Sequence, residues 1–493
     1  MSSKIEVQLT QYTPLLHFQG QESGACLRAS EVKPALDNFI TAWLKKENKS
    51  APQDWIQSEV NGHTAYRYRM TFTAIGEPDG GYKCNTGTYN KRNNTVKVDN
   101  TRQIHNLFFA SMGPEAFDIT PETRDRETVK SRIKSVFYPK GTTMTILVPG
   151  DQENKLSALL KELIPPFFAL HCFGNRSNKG FGSFGVTEMD GKEIPVMTPA
   201  QLAEYAPNQK TLYYVSYGQI IPSSNEYLND VFTLSNLMKP GINYTHGNPK
   251  NLQYSKGFLF QYFLDKKIHS EKAAIKSFVL NEGTEDEDNF VKIHFHETFD
   301  GENDDFRFVR AIIGLPQQYE YRIDERFNKE KKEMVFINPH SRRKGTVAVE
   351  NRVKIEGKPE KKDKTPIISR YENPVHFKPH GQYLLIVPQT IKETMKDQTF
   401  YLIDNTQGSS KITGRENGIA VVSSEDDVTE IKTPSEFDLI DFLDYFSNQY
   451  KFSYNSLNNH FSSERGPAKV IYESLDHIGM KIQKAKAGEK NNG

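Results

Sequence analysis

A glycine-rich stretch at residues 171–186 constrains this chain more than any other segment. It reads HCFGNRSNKGFGSFGV, with four glycines between residues 174 and 185 and with Arg176 and Lys179 among them. Glycine lets backbone N–H groups turn inward and approach a ligand, arginine and lysine add positive charge, and Phe181 offers a stacking face. The stretch therefore predicts a loop that binds a phosphate backbone. The alternative is an ordinary surface loop, because such loops are also rich in glycine and serine.

The spacing Gly180-x-Gly182-x-x-Gly185 also matches a dinucleotide-binding fingerprint and a kinase glycine loop. A dinucleotide site needs a preceding strand, a long apolar helix after the glycines and an acidic residue farther on. Here the chain continues as VTEMDGK, which indicates a strand and a turn. A kinase needs HRD and DFG triplets, and neither occurs. The sequence therefore excludes both classes of protein.

Composition limits the partners and the compartment. A length of 493 residues exceeds one hydrophobic core and predicts two or three domains. Lysine and arginine number 63 against 62 aspartate and glutamate, so any nucleic-acid surface is local. Three cysteines without paired spacing favour a reducing compartment and argue against zinc. No apolar signal core and no run of about 18 apolar residues is present, so we expect a cytoplasmic protein without a membrane segment.

The first helix predicted follows a strand at residues 5–12 and has one apolar face. Arg28, Ser30 and Lys33 lie at or near its start. Backbone N–H groups point outward there and favour anions. The alternative is that Ser30 simply caps the helix while Glu31 and Lys33 are solvated.

The rest of the first half predicts strands at 64–74 and 142–148 and a helix at 152–164, closed by Pro165 and Pro166. The resulting order of strands and helices matches the βαββαβ arrangement. Two basic inserts favour a nucleic-acid groove over a plain charged surface. Their cations are Lys83, Lys91, Arg92, Lys97 and Arg102 within residues 76–105, and then Arg124, Arg126, Lys130, Arg132 and Lys134.

The second half repeats this order of strand and helix. Its pattern predicts strands at 211–221, 257–264 and 383–387, and helices at 227–238, 306–313, 434–446 and 468–485. The apolar run at 257–264 could also be helical. His294 and His296 share one strand face and could hold a metal. No third ligand can be named, so we expect no metal site and no cofactor.

With these residues in view, the chain resembles the RAMP superfamily of CRISPR effector complexes, in particular the two-domain subunits of type III-B (Cmr) complexes. Thr13-Pro14-Leu15, followed by Leu27-Arg28-Ala-Ser30-x-Val-Lys33, is similar to the family's opening. The loop from Gly174 to Ser183 is similar to the family's G-x-R-S-R-R-G-F-G-S loop. Gly314-Leu-Pro316 and the later Ser369-Arg370-x-x-x-Pro374-Val-His376-Phe-Lys378 resemble the family's second half.

The resemblance implies an α+β fold of two tandem ferredoxin-like (RRM-like, βαββαβ) RAMP domains with long inserts and C-terminal helices. These would be residues 1–208, with the glycine-rich loop 174–185, and residues 209–493, with a helical tail. The implied function is that of a non-catalytic RNA-binding subunit of a type III CRISPR ribonucleoprotein in antiviral defence. Its implied partners are guide RNA, near the guide's 3′ end, target RNA, and the other RAMP subunits.

The same resemblance implies a set of RNA-binding residues. According to this resemblance, the loop N–H groups hold phosphates together with Arg176 and Lys179. Phe181 stacks on a base or wedges between bases, and the residues at the start of the first helix flank the same groove. The full set is Arg28, Ser30, Lys33, Asn175, Arg176, Ser177, Asn178, Lys179, Gly180, Phe181, Gly182, Arg370, His376 and Lys378.

Two other functions stay open from the sequence. Some RAMP proteins cleave guide-RNA precursors without metal, with a histidine as general acid or base, and His17 and His171 are the candidates here. The chain could instead be a structural subunit that binds only protein, through the partly acidic stretch 404–430 and the C-terminal helices.

Overall fold

The computed structural model describes residues 2–17, 26–78, 86–92, 94–98, 117–130, 134–208, 210–245, 252–275, 305–314, 318–322, 325–328, 333–336, 344–357, 371–405, 410–461 and 467–488. The chain divides into two compact units. Unit 1 comprises Met1–Leu234, Val375–Gln389 and Tyr450–Gly493, and unit 2 comprises Ser235–Pro374 and Thr390–Gln449. The domain boundary expected after residue 208 stays a prediction.

Helices and strands alternate irregularly along the described residues. The helices are α1 Ala29–Lys46, α2 Lys155–Leu170, α3 Pro199–Ala203, α4 Ser224–Met238, α5 Phe258–Asp265, α6 Glu271–Ala274, α7 Leu439–Phe461 and α8 Pro467–Ile478. The strands up to residue 255 are β1 Ser3–Gln11, β2 Leu15–His17, β3 Ile56–Val60, β4 His63–Tyr66, β5 Arg69–Ala74, β6 Thr86–Asn90, β7 Thr95–Val98, β8 Thr128–Lys130, β9 Lys134–Val136, β10 Thr142–Val148, β11 Phe184–Met189, β12 Lys192–Glu193, β13 Thr211–Ser216, β14 Ile242–Thr245 and β15 Leu252–Ser255. The later strands are β16 Ile268–Ser270, β17 Asp305–Arg307, β18 Gln318–Arg322, β19 Glu325–Asn328, β20 Glu333–Phe336, β21 Lys344–Glu350, β22 Val353–Ile355, β23 Val375–His380, β24 Tyr383–Pro388, β25 Thr399–Asp404, β26 Ile412–Glu416, β27 Ile419–Val422, β28 Val428–Lys432 and β29 Gln483–Lys486.

The first sheet of unit 1 has the strand order β12-β11-β1-β10-β5, and its neighbouring strands are antiparallel. Along the chain its elements follow as β1, α1, β5, β10, α2 and β11. Alternate residues of β1 and β10 are buried, as the period of a strand with one covered face requires. They pack on apolar residues that recur every four positions on α1, such as Val32, Leu36 and Ile40, and on α2. One core therefore holds this sheet and its two helices together.

The second sheet of unit 1 has the order β23-β24-β13-β29, again antiparallel throughout. Its elements follow along the chain as β13, α4, β23, β24, α7, α8 and β29. Strand β29 pairs with β13 from Tyr214↔Gln483 to Thr211↔Lys486. The last described residues of the chain are thus needed to complete this sheet.

Unit 2 contains a six-stranded sheet of order β16-β17-β28-β25-β21-β18, alongside smaller sheets. Its core includes Phe308, Val347, Phe400 and Leu402. The buried Glu271 carboxylate accepts from the Val309 N–H at 2.9 Å and from the Arg310 guanidinium. This satisfies a charge that would otherwise be costly to bury.

Several local predictions hold and others fail. The strand at 142–148 and the helix that ends at Met238 are confirmed. The predicted strand at 257–264 is wrong and its helical alternative is right, because this segment is helix α5. Five of its eight residues are buried, and so continuous an apolar run has no readable period. The helix predicted at 306–313 is wrong, since a short strand precedes a 3-10 helix at Val309–Ile313.

Two predicted helix ends also need correction. Helix α2 does not stop at Pro165 but continues to Leu170, because the burial of Phe167, Phe168 and Leu170 outweighs the hydrogen bonds that the two prolines remove. At the tail, α7 runs on to Phe461, and α8 ends at Ile478. Gly479 then takes a φ of 68°, and the residues predicted as the end of a helix form strand β29.

A buried polar cluster joins α4 to α8 within unit 1. Asp230, 1% exposed, accepts from the Tyr217 hydroxyl at 2.7 Å and from His477 Nδ1 at 2.6 Å. The Tyr217 and His477 rings stack with centroids 4.4 Å apart. Burial raises the pKa of Asp230, and the bond to Asp230 raises the pKa of His477.

We predict that His477→Ala lowers the free energy of unfolding by about 3 kcal/mol, because it leaves the buried Asp230 carboxylate without its charged partner. The raised pKa of His477 means that its contribution is full below the ordinary histidine pKa of about 6.5 and is lost as pH rises through the folded-state value. Urea unfolding across this range, with the exposed His63→Ala as control, checks both effects. Equal stability of the two variants would contradict the assignment.

Candidate nucleic-acid interface

The glycine loop, residues 174–185, is fastened to the segment that follows β1. The Thr13 hydroxyl donates to the Gly180 carbonyl at 2.5 Å and accepts from the Ser183 N–H at 3.0 Å. The Pro14 carbonyl accepts from the Gly182 N–H at 2.7 Å, and the Leu16 carbonyl accepts from the Asn175 N–H at 3.0 Å. Hydrogen bonds to the segment from Thr13 to Leu16 therefore fix the conformation of the loop.

Two of the glycines are required by this close backbone packing. Gly182 has a φ of 66°, and a Cβ there would lie 2.0 Å from the Phe173 carbonyl oxygen. Gly174 has a φ of 75°, and a Cβ there would lie 2.6 Å from the Leu16 carbonyl oxygen. Glycine at these positions allows two backbone segments to pack closely. The sequence had suggested instead that these glycines let the backbone approach a ligand.

Most loop amides are also used within the protein. The Gly174 N–H donates to the Glu31 carboxylate, the Lys179 N–H to the Arg176 carbonyl at 2.8 Å, and the Gly180 N–H to the Ser177 carbonyl at 3.2 Å. The prediction that loop N–H groups in general hold phosphates is therefore too broad. Within the part of the chain that the structure describes, the N–H groups and side chains of Ser177 and Asn178 have no protein partner.

These two residues form the tip of the loop, together with Arg176 and Lys179. Arg176 takes a left-handed φ of 58°, which reverses the chain at this point. All four side chains are half-buried. The tip therefore presents two cations, two hydrogen-bonding side chains and two backbone donors from consecutive residues, a combination that suits an anion.

The electrostatics of the tip favour the same ligand. Burial lowers the pKa of the Arg176 guanidinium, and burial together with Arg176 lowers the pKa of Lys179 to about 8. A neighbouring phosphate would restore the favourable environment that both cations lose on burial.

Phe181 does not have the role predicted for it. Its side chain is 0% exposed, so no ring face is open to a base. The sequence could not reveal this, because aromatic residues in glycine-rich loops either stack on ligands or fill the core beneath the loop. The prediction that Phe181 stacks or wedges is corrected to a packing role.

Lys378 also supports the loop from beneath. Its ammonium donates to the carbonyl oxygens of His171 at 2.7 Å and of Phe184 at 2.9 Å, on either side of the loop. The residue is 1% exposed, and burial lowers its pKa to about 8. The predicted phosphate contact of Lys378 is corrected to a structural one. His376, half-buried, lies two residues away on β23, and Arg370 lies outside the described residues.

The predicted residues at the first helix have mixed roles. Arg28 occupies the N-cap of α1, so Ser30, exposed in the first turn, is not the cap. Lys33 donates to Asp37 at 2.7 Å and to the Tyr66 carbonyl at 3.0 Å, and its ammonium lies 4.4 Å from the centroid of the Tyr68 ring. Lys33 thus has structural partners, contrary to its predicted place in the groove. Glu31, expected in the alternative to be solvated, is half-buried, and its carboxylate connects this turn to Gly174 by accepting from the Gly174 N–H.

His171 packs as a structural residue. Its Nδ1 donates to the Phe167 carbonyl at 2.9 Å, and its ring lies 4.6 Å from the Phe167 ring and 5.4 Å from the Phe39 ring. Burial lowers its pKa to about 4. This environment does not suit a general acid or base near neutral pH, so the nuclease hypothesis gains no support from His171. The His17 side chain lies outside the described part.

The two basic inserts meet in one small sheet of order β7-β6-β8. The Lys91 N–H donates to Asp125 at 2.9 Å, and the Arg126 N–H donates to the Tyr89 carbonyl at 2.7 Å, so the two turns are adjacent. The described cations here are exposed and comprise Lys91, Arg92, Arg124, Arg126 and Lys130. The side chains of Lys83, Lys97, Arg102, Arg132 and Lys134 lie outside the description.

Two further classes of site, metal centres and membrane spans, have no candidate among the residues that the structure describes. No group of three or more histidine, cysteine, aspartate or glutamate residues among them is placed to hold a metal ion. His294 and His296 are outside this part of the chain. None of the helices seen there is both long and apolar enough to cross a membrane.

Comparison with solved structures gives low similarity. A chain of the cryo-EM structure of the Type III-B Cmr-beta bound to cognate target RNA is 15% identical, with a TM-score of 0.22, over 39% of this chain and 61% of that one. The apo crystal structure of Cmr1 from Pyrococcus furiosus is 13% identical, with a TM-score of 0.24, over 48% and 72%. A chain of Cmr-beta bound to target RNA and AMPPnP is 11% identical, with a TM-score of 0.32, over 79% and 94%. The first of these matches thus spans less than two thirds of its relative.

Sequence comparison is more informative. None of the curated proteins matches. The family description of the Cmr1 N-terminal domain matches residues 2–242, and that of the Cmr1 C-terminal domain matches residues 254–467. The two matches run in this order along nearly the whole length, which shows that the chain belongs to the Cmr1 family.

Proposed function

We propose that this chain is a non-catalytic RNA-binding subunit of a type III-B CRISPR ribonucleoprotein that contacts guide and target RNA and aids target capture. The observation that carries the proposal is the loop tip, where Arg176 and Lys179 flank the Ser177 and Asn178 amides. These groups suit phosphates and offer no acid–base pair for cleavage. The solved Type III-B Cmr-beta complexes contain cognate target RNA, which agrees with the partners proposed here.

We also infer that each sheet of unit 1 belongs to a ferredoxin-like RAMP domain, the first within residues 1–208 and the second within 209–493. The support is that both follow a βαββαβ course and both have the strand order fourth, first, third, second. In the second domain, residues 235–374 and 390–449 would be insertions that form unit 2. We extend the proposal to a contact near the guide's 3′ end and to neighbouring RAMP subunits, and membership of the Cmr1 family supports this extension.

Replacing both tip cations tests the proposed function. We expect Arg176→Ala with Lys179→Ala to weaken RNA binding at moderate salt and to reduce the salt dependence by about 0.7 per lost phosphate contact on single-stranded RNA. Lys161, an exposed lysine paired with Asp190 at 2.8 Å, provides the matched control Lys161→Ala. Fluorescence anisotropy with guide-length RNA at several salt concentrations measures both quantities. Unchanged affinity and slope in the double variant would overturn the proposal.

The depressed pKa of Lys179 predicts a pH dependence. Only the charged ammonium attracts phosphate, and the pKa of Lys179 is about 8, so RNA affinity is full below this pH and falls as pH rises through it. Lys179→Arg keeps its charge and should flatten the profile. Binding titrations from about pH 7 to 9.5 measure this difference. A wild-type profile as flat as that of the arginine variant would contradict the assignment.

Lys378 should behave differently from the tip cations. We expect Lys378→Met to lower the free energy of unfolding by about 1–3 kcal/mol, because two buried carbonyl groups lose their donor. The salt dependence of RNA binding should stay at the wild-type slope. Chemical unfolding and the same anisotropy series separate the two roles. A reduced slope with unchanged stability would return Lys378 to the RNA-contacting set.

A further inference from the structure

The second sheet of unit 1 carries two tyrosines side by side on neighbouring central strands. Tyr214 lies on β13 and Tyr383 on β24, with ring centroids 5.8 Å apart and ring planes at 86°. Both rings are half-buried at the border of the cluster that contains Leu212, Leu385 and Val387. Each ring therefore keeps part of its surface open while the core holds it in place.

Polar groups surround the pair. The Tyr214 hydroxyl donates to Gln483 Oε1 at 2.5 Å, which fixes the ring and orients the amide. Burial, and then Tyr383, raises the pKa of Tyr214, so the hydroxyl stays a neutral donor. Gln483 and Ser216 are exposed, and Ser216 lies opposite Tyr383. Their amide and hydroxyl groups can bond the edge of a flat polar ring.

The edge of this sheet is cationic. Strand β29 and the residue pair before it supply Lys481, Lys484 and Lys486, and no acidic residue occurs from Gly479 to Gly488. Lys481 and Lys486 are exposed. Lys484 and Lys486 pair with Tyr213 and Thr211, so they lie on the sheet face opposite Tyr214, and the Lys484 ammonium is 5.5 Å from the centroid of the Tyr213 ring. These two cations therefore line the edge strand and are not in contact with the tyrosine pair. An aromatic pair near a cationic sheet edge is complementary to a strand of nucleic acid, whose bases stack while its phosphates need cations.

We propose that Tyr214, Tyr383 and Gln483 bind an unpaired nucleobase of single-stranded RNA, whose phosphates follow the cationic sheet edge formed by β29. The inference rests on the proposed RNA-binding function and adds to it a second contact, distinct from the glycine loop and specific for unpaired bases. Double-stranded RNA does not fit, because its base faces are already stacked on their neighbours.

The test compares two RNAs on the full chain, an unstructured single strand of about 12 nucleotides and a blunt duplex of the same length. Tyr214→Ala and Tyr383→Ala each weaken binding of the single strand roughly tenfold and leave duplex binding unchanged. Tyr214→Phe, which keeps the ring, restores most of the affinity. Tyr472→Ala, at a half-buried tyrosine on α8, is the matched control. Arg176→Ala weakens binding of both RNAs.

Photocrosslinking of wild-type protein to the same single strand with 4-thiouridine decides the matter even if an alanine variant fails to fold. A cross-link on the peptides that contain Tyr214 or Tyr383 supports the site, and its absence overturns it. Suppose that both tyrosine variants fold and bind RNA with wild-type affinity, while Arg176→Ala binds RNA more weakly. That result overturns this inference and leaves the proposed function intact. Equal losses for both RNAs, or occupation by a peptide strand, also overturn it. No binding of either RNA by wild type overturns both.

Discussion

The backbone contact between the glycine loop and the chain after β1 is the constraint on which unit 1 depends. Gly182 and Gly174 pack directly against carbonyl groups of Phe173 and Leu16, which leaves no room for side chains. The same loop bonds to β23, since the Phe377 N–H donates to the Asn178 carbonyl at 3.1 Å and the Ser183 hydroxyl to the Pro379 carbonyl at 2.5 Å. Both sheets of unit 1 therefore share this loop, and its shape is fixed by contacts on two sides.

This fixation explains how half-buried cations can face outward from a short loop. Arg176 and Lys179 lose solvation on folding, which destabilises the chain, but their backbone is held by bonds inside the loop. A rigid backbone lowers the entropy that binding would otherwise cost, and poorly solvated cations gain more from a phosphate than fully hydrated ones. The desolvated cations cost some stability, and the ordered backbone around them suits the phosphate contact proposed above.

The sequence predicted features that depend on local pattern. The strand at 142–148, helix α1 and the glycine loop have clear periodicity or composition, and the structure contains all three. It did not predict which way a side chain points. Lysine and phenylalanine are typical of RNA contacts, yet Lys378 and Phe181 are both buried. The direction in which each side chain points depends on strands and loops that are distant in sequence. Thr13 stood out only through family resemblance, although its hydroxyl organises two loop groups.

The missed strand β29 shows the same limit at a larger scale. Its four residues pair with β13 across more than half the chain, so no local signal distinguishes them from the end of a helix. The strand that completes the second sheet follows the insertions and α8 along the chain, so this sheet depends on contacts between residues far apart in sequence. Because β29 also brings Gln483 to the Tyr214 hydroxyl, the pairing that completes the sheet also completes the aromatic surface. A substitution that displaces α8 therefore also displaces β29, the strand that follows it, and so alters this surface.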